Sequence, residues 1–129
     1  MQRVGRLVIL VRDYGEAIAF YCGKLGFEIF VDIEAGERRY VHVRLPSQPD
    51  FCLWLLKAES VEDDGHVGRQ AGRQPLAVIY TDGIAEDYRR LRDNGIVFHV
   101  PLQEEPGAAF AHFRDLYGNE FVLCELREA

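Results

Sequence analysis

Apolar and polar positions along this chain fall into short blocks separated by turn formers, and one arrangement of blocks occurs twice. Residues 7–31, LVILVRDYGEAIAFYCGKLGFEIFV, read as a strand, a helix opening at Asp13, a break at Gly26 and a second strand. Residues 76–100, LAVIYTDGIAEDYRRLRDNGIVFHV, repeat that order. The landmarks keep one offset, since Asp13 to Asp82 and Gly26 to Gly95 are each 69 residues. An internal repeat constrains the whole fold, so it is read before any single element. Each copy has an apolar strand, an Asp placed to cap the helix N-terminus and a Gly where the helix ends. The helical stretches carry Ile18, Tyr21 and Leu25 in one copy and Ile84, Tyr88 and Leu91 in the other, each set forming one apolar stripe. Burying a side chain such as Phe20 or Leu91 contributes roughly 1.5–3 kcal/mol, which holds each helix on a sheet.

The blocks between these landmarks complete two similar modules. Val4–Val11 is the first strand and Asp13 to about Leu25 the first helix, weakened by Gly15 and Gly23. Phe27–Ile33 and Arg38–Leu45 form a hairpin around Ala35-Gly36-Glu37, and Phe51–Lys57 is a nearly all-apolar fourth strand. The order is βαβββ. Residues 58–74 are polar, acidic at Glu62-Asp63-Asp64 and broken by Gly65, Gly68 and Gly72, which reads as a linker with His66 a solvated loop histidine. In the second half Leu76–Thr81 is a strand, Gly83–Asn94 a helix, and Ile96–Val100 a strand ended by Pro101. An acidic loop, Gln103–Gly107, then leads to strands Ala108–Arg114 and Glu120–Leu126, joined by the turn Asp115–Asn119. The expectation is one domain, 1–129, with a first module at 1–57, a linker at 58–74 and a second module at 75–129. Strand alternation puts Leu7, Ile9 and Val11 beneath the helix and Arg6, Val8 and Leu10 on the other face, inside a concavity.

At 129 residues the chain suits two half-size modules sharing a core better than two independent domains. A formal net charge of −6 with scattered Lys and Arg leaves no basic face, which argues against nucleic acid or an anionic membrane as partner. Cys22, Cys52 and Cys124 are odd in number and widely spaced, so they read as reduced thiols in a cytoplasmic protein. Met1-Gln2-Arg3 runs almost directly into a strand, which does not read as a signal segment. The longest aliphatic run, Leu7–Val11, is too short to span a bilayer.

The stretches RDYGEAIAFYCGKLGFE, YTDGIAEDYRRLRDNGI and FRDLYGNEFVLCE resemble the vicinal-oxygen-chelate superfamily of glyoxalases, bleomycin-resistance proteins and extradiol dioxygenases. The resemblance implies an α+β fold in which two βαβββ modules form a curled mixed sheet around a cleft. It also implies a homodimer. The metal enzymes of that group place His or Glu at four inward strand positions, where a divalent ion polarises a bidentate oxygen substrate. The corresponding positions here are Arg6, Pro75, Trp54 or its neighbour, and Val122. None offers a donor atom suited to a divalent ion, so neither a metal nor a cofactor is expected at that site.

The inward faces then hold Arg6, Cys52 and Trp54 from the first and fourth strands, with Tyr40, His42 and Arg44 beside them. Phe110, His112 and Arg114 occupy the equivalent strand of the second half. Arg6, Tyr40, His42, Trp54, Phe110 and His112 are the candidate ligand-binding residues. Arg6 reads either as an anion clamp at the vacated metal position or as a strand-end arginine reaching solvent or pairing with Glu120. His42 and His112 read as structural or as general acid–base groups, and with Glu120 they define an alternative, displaced metal site. Trp54 is a stacking platform or core filler, while Asp115, Gly118 and Asn119 serve a turn. Three functions follow: a metal-free binding protein of the bleomycin-resistance type, which holds a small aromatic or anionic molecule; a glyoxalase-like lyase or isomerase with a non-standard site; and a dimeric scaffold whose cleft is filled by its own side chains.

Overall fold

Period-two alternation makes each apolar block a strand with one face to bury, and a short helix covers that face in each half. The computed structural model describes residues 1–128. They divide into two compact units, Met1–Gly68 and a second beginning at Arg69. The first contains β1 (Arg6–Val11), α1 (Tyr14–Tyr21), β2 (Glu28–Ala35), β3 (Arg38–Arg44), β4 (Cys52–Lys57) and α2 (Val61–Asp64). The second contains β5 (Pro75–Tyr80), α3 (Ile84–Asp93), β6 (Phe98–Glu105), β7 (Ala108–Arg114) and β8 (Glu120–Leu126). The sheets have the same topology, β1-β4-β3-β2 and β5-β8-β7-β6. In each, the first-listed pair is parallel and the others antiparallel, which makes both sheets mixed. The sequence repeat is thus a repeat of sheet order.

In the first unit Ile9, Val11, Val41, Val43, Leu53 and Leu55 form the helix side of the sheet, all at most 6 % exposed. They pack with Ala17, Phe20 and Tyr21 of α1, where Tyr21 meets the edges of Phe20 and Phe27. Leu7, expected under the helix, stays partly exposed. The lengths explain it: eight helical residues span about 12 Å, whereas six strand residues span about 20 Å, so α1 cannot cover the whole of β1. The helix also ends earlier than Leu25, with Cys22 as its C-cap, and Ile18 is only half-buried. Past the cap the chain reverses at Gly26, whose φ of 88° only glycine adopts readily, and the Phe27 amide donates to the Tyr21 carbonyl at 3.0 Å.

The two helix starts differ. Asp13 caps α1 as expected, accepting from the Glu16 amide at 2.8 Å. Asp82 does not cap α3; its N-cap is Gly83. Thr81 Oγ1 accepts from the Gly83 amide, and Glu125 reaches over from β8 to accept from the Ile84 amide at 3.0 Å.

Two further expectations are corrected. β2 continues to Ala35 rather than stopping at Ile33. β6 runs through Pro101 to Glu105, taking in most of the residues expected to form an acidic loop. Pro101 is tolerated because β6 is an edge strand and the register with β7 slips between Val100 and Gln103, so the missing N–H interrupts no ladder bond. Within 58–74 the acidic stretch forms α2, capped by Ser60, and Val67 is buried.

The core of the second unit is built from Phe113 and Phe121, stacked at 5.4 Å, with Ala109, Ala111, Leu123, Ile84 and Leu91. Tyr88 is half-buried and lies 4.6 Å from the Phe98 ring. Among the described residues no helix is long and apolar enough to cross a membrane.

Candidate ligand-binding site

Strand register decides which side chains share the sheet face opposite α1. Val8 pairs with Trp54, Trp54 with His42, and His42 with Val31, so one row crosses the whole first sheet. Tyr40 lies two residues from His42 and therefore on the same face. The rings form a cluster: His42 meets Trp54 edge-on at 5.5 Å, and Tyr40 lies tilted to Trp54 at 6.4 Å. Three of the sequence candidates are thereby brought together.

The cluster contains polar atoms with unmet needs. His42 is 5 % exposed, yet no protein group pairs with either ring nitrogen, and the buried indole N–H of Trp54 likewise has no protein partner. Burial, and after it the positive charge of Arg6, pushes the His42 pKa below its ordinary value. The imidazole is therefore neutral at physiological pH and presents one donor and one acceptor. Buried polar groups almost always have a partner, so these three atoms call for one from outside the polypeptide.

Arg6 pairs with Cys52, one residue pair along the same face from Val8 and Trp54. Both line a hollow of about 500 Å³ together with Arg3, Phe30 and Asp50. Two guanidinium groups against one carboxylate leave the hollow with an excess of positive charge. Among the described residues no carboxylate forms an ion pair with Arg6, and Glu120, the partner considered from sequence, bonds to His112. Arg44 is otherwise engaged: it pairs with Glu28 at 2.8 Å, donates to the Pro49 carbonyl and lies 4.3 Å from the Phe30 ring.

The remaining two candidates lie in the second unit. Phe110 and His112 meet edge-on at 5.8 Å. His112 Nδ1 hydrogen-bonds Glu120 Oε2 at 2.7 Å, and His99 Nε2 stands 3.6 Å from Glu120 Oε1. The His112 hydrogen bond, then the nearby charges of His99, His112 and Arg114, hold the Glu120 carboxyl below its usual pKa. His99 was not a sequence candidate. Nothing in its sequence context marks it; in the fold it falls at a register slip between Phe98 and Val100, and such a bulge redirects a side chain toward its neighbours. Asp115 braces its turn, as read from sequence. Oδ1 accepts the amides of Tyr117, Gly118 and Asn119, and Oδ2 accepts the Asn119 side-chain amide, all at 2.9 Å.

Comparison with known proteins agrees with this architecture. The model of the Glyoxalase/Bleomycin resistance protein/Dioxygenase superfamily matches residues 3–123, and the chain belongs to that superfamily. An uncharacterized protein from Shewanella frigidimarina (strain NCIMB 400) is 36 % identical over 129 residues, covering 98 % of this chain and 96 % of its own. The crystal structure of UcmS2 is similar with a TM-score of 0.84 and 30 % identity, over 96 % of this chain and 98 % of that one. TnmS3, an antibiotic binding protein from Streptomyces sp. CB03234, shares the fold with a TM-score of 0.80 at 22 % identity, over 98 % of each chain.

Proposed function

We propose that this protein binds a small, flat, anionic aromatic molecule on the first sheet, without a metal at the superfamily's usual positions. The observation that carries the reading is the cluster of His42 and Trp54, whose three buried polar atoms have no partner in the protein. A ligand ring lies against Trp54 and Tyr40, and its hydroxyl or carbonyl oxygens bond to His42 and the indole N–H. An acidic group reaches Arg6, whose fork of N–H donors suits a carboxylate. Cys52, the strand partner of Arg6, lies two residues from Trp54 along β4, so the anionic and aromatic ends of the ligand are about 7 Å apart. The antibiotic-binding function of TnmS3 supports small-molecule capture as a use of this fold. Phe110 and His112, on the second sheet, lie outside this proposed site, and a homodimer is the proposed assembly. Light scattering reads the latter directly, as twice the chain mass of 14.8 kDa.

Calorimetric titration with a hydroxynaphthoate and with the corresponding neutral naphthol tests the reading. The acid binds at one per chain. Arg6→Gln weakens it about tenfold, at the low end of a charge-assisted hydrogen bond because Arg6 is exposed. The same substitution leaves the naphthol affinity unchanged. Equal losses for acid and naphthol, or no saturable binding across a panel of two- and three-ring aromatic acids, refute it.

A further inference from the structure

We propose that His99, His112 and Glu120 form a binding site for one divalent transition-metal ion of the zinc, cobalt or nickel class, within the second sheet. One donor atom from each of the three residues lies within 4.8 Å of the other two. The site goes beyond the proposed ligand face, because it uses none of Arg6, Tyr40, His42 and Trp54. It is also distinct from the four superfamily metal positions, which here carry Arg6, Trp54, Pro75 and Val122.

The fold builds the trio from three adjacent strands. His112 is paired with Val122, so Glu120, two residues earlier on β8, is its diagonal neighbour on the same face. The slip between Phe98 and Val100 brings His99 alongside, with its ring 6.0 Å from that of His112 and nearly perpendicular to it. The three side chains are between 17 % and 24 % exposed, leaving an open side for water or a small ligand to complete the coordination.

Ligand chemistry selects the ion. Two imidazoles and one carboxylate match zinc and its neighbours, whereas magnesium and calcium prefer an all-oxygen shell. Arg114 stands opposite Glu120 in the register and acts on the same carboxylate, which further disfavours a hard cation held by charge alone. Donors about 2.1 Å from a tetrahedral ion are separated by roughly 3.4 Å. The carboxylate already spans the two imidazoles, with Oε1 3.6 Å from His99 Nε2 and Oε2 2.7 Å from His112 Nδ1, and one donor atom of each residue, within 4.8 Å of the other two, adjusts to that spacing around an ion.

The test uses the full chain, stripped with chelator and dialysed, titrated with Zn²⁺ by calorimetry and with Co²⁺ by visible absorption. One Zn²⁺ binds per chain in the wild type and in His66→Ala, which removes an exposed histidine outside the trio. Affinity falls at least tenfold in Glu120→Gln and in His99→Asn. The second variant changes an exposed strand position and keeps the test valid if the first fails to fold. The Co²⁺ spectrum shows ligand-field bands without thiolate charge transfer. No saturable binding, undiminished affinity in His99→Asn, an equal loss in His66→Ala, or a thiolate band from Cys22, Cys52 or Cys124 overturns the proposal. Failure here leaves hydroxynaphthoate binding unaffected, so the two readings fall separately.

Discussion

Replacing Asp115 by Ala removes the acceptor around which the β7–β8 turn is built. Its carboxylate takes three main-chain N–H groups and one side-chain amide at 2.9 Å, and the residue is only 6 % exposed. Hydrogen bonds to a charged acceptor are worth about 1.5–3 kcal/mol each, but the four share one side chain and do not add. Leu116 and the turn around Tyr117 and Gly118 are partly exposed, so water re-solvates some of the freed donors. The Asn119 groups are buried and stay unsatisfied. The expected loss is about 3–5 kcal/mol, a large part of the 5–15 kcal/mol that holds a typical domain. With a urea m-value of about 2 kcal/mol/M the unfolding midpoint drops by about 2 M. Asp115→Asn keeps one oxygen and loses about half as much. A midpoint within 0.5 M of wild type for Asp115→Ala would mean that the turn does not depend on this carboxylate.

Three other outcomes are expected. The His42 pKa is lower in the folded chain than its ordinary 6.5, so its contribution to stability is complete above pH 6.5 and falls as pH drops below it. Urea midpoints at pH 7.5 and 5.5 should differ in wild type and converge in His42→Gln; a wild type more stable at the lower pH would reverse the sign. Gly23→Ala places a Cβ 2.4 Å from the Ala19 carbonyl oxygen and should destabilise by about 1–3 kcal/mol, while Gly5→Ala, with nothing within 4 Å, should change little; comparable melting temperatures for the two would be wrong. Pro101→Ala on the edge strand should alter stability by less than about 1 kcal/mol yet raise aggregation followed by light scattering, because the edge gains an N–H for pairing; a large loss of stability would show that the proline is needed in the ladder.

The repeat was legible because punctuation is local: Asp13 caps its own helix, and Gly26 and Gly95 supply backbone conformations that other residues resist. Strand alternation gave the two faces of the first sheet, including the row that joins Trp54 to His42. What stayed hidden depends on distant partners. Asp82 has the sequence context of a cap, but Glu125, 41 residues beyond Ile84, does that work from a neighbouring strand. Pro101 reads as a strand end unless the strand is known to lie at an edge beside a register slip. His99 has an unremarkable position in the chain and joins His112 only through that irregular pairing. The missing partners of His42 and Trp54 were likewise invisible, because hydrogen bonding is a property of the folded surroundings.

Trp54 is the only tryptophan, so a ¹⁵N-labelled sample gives one indole N–H resonance. Titration with hydroxynaphthoate should move that resonance and a His42 ring-nitrogen resonance together, saturating at one ligand per chain. Saturable binding that leaves both in place would locate the ligand elsewhere and contradict the assignment of this sheet face.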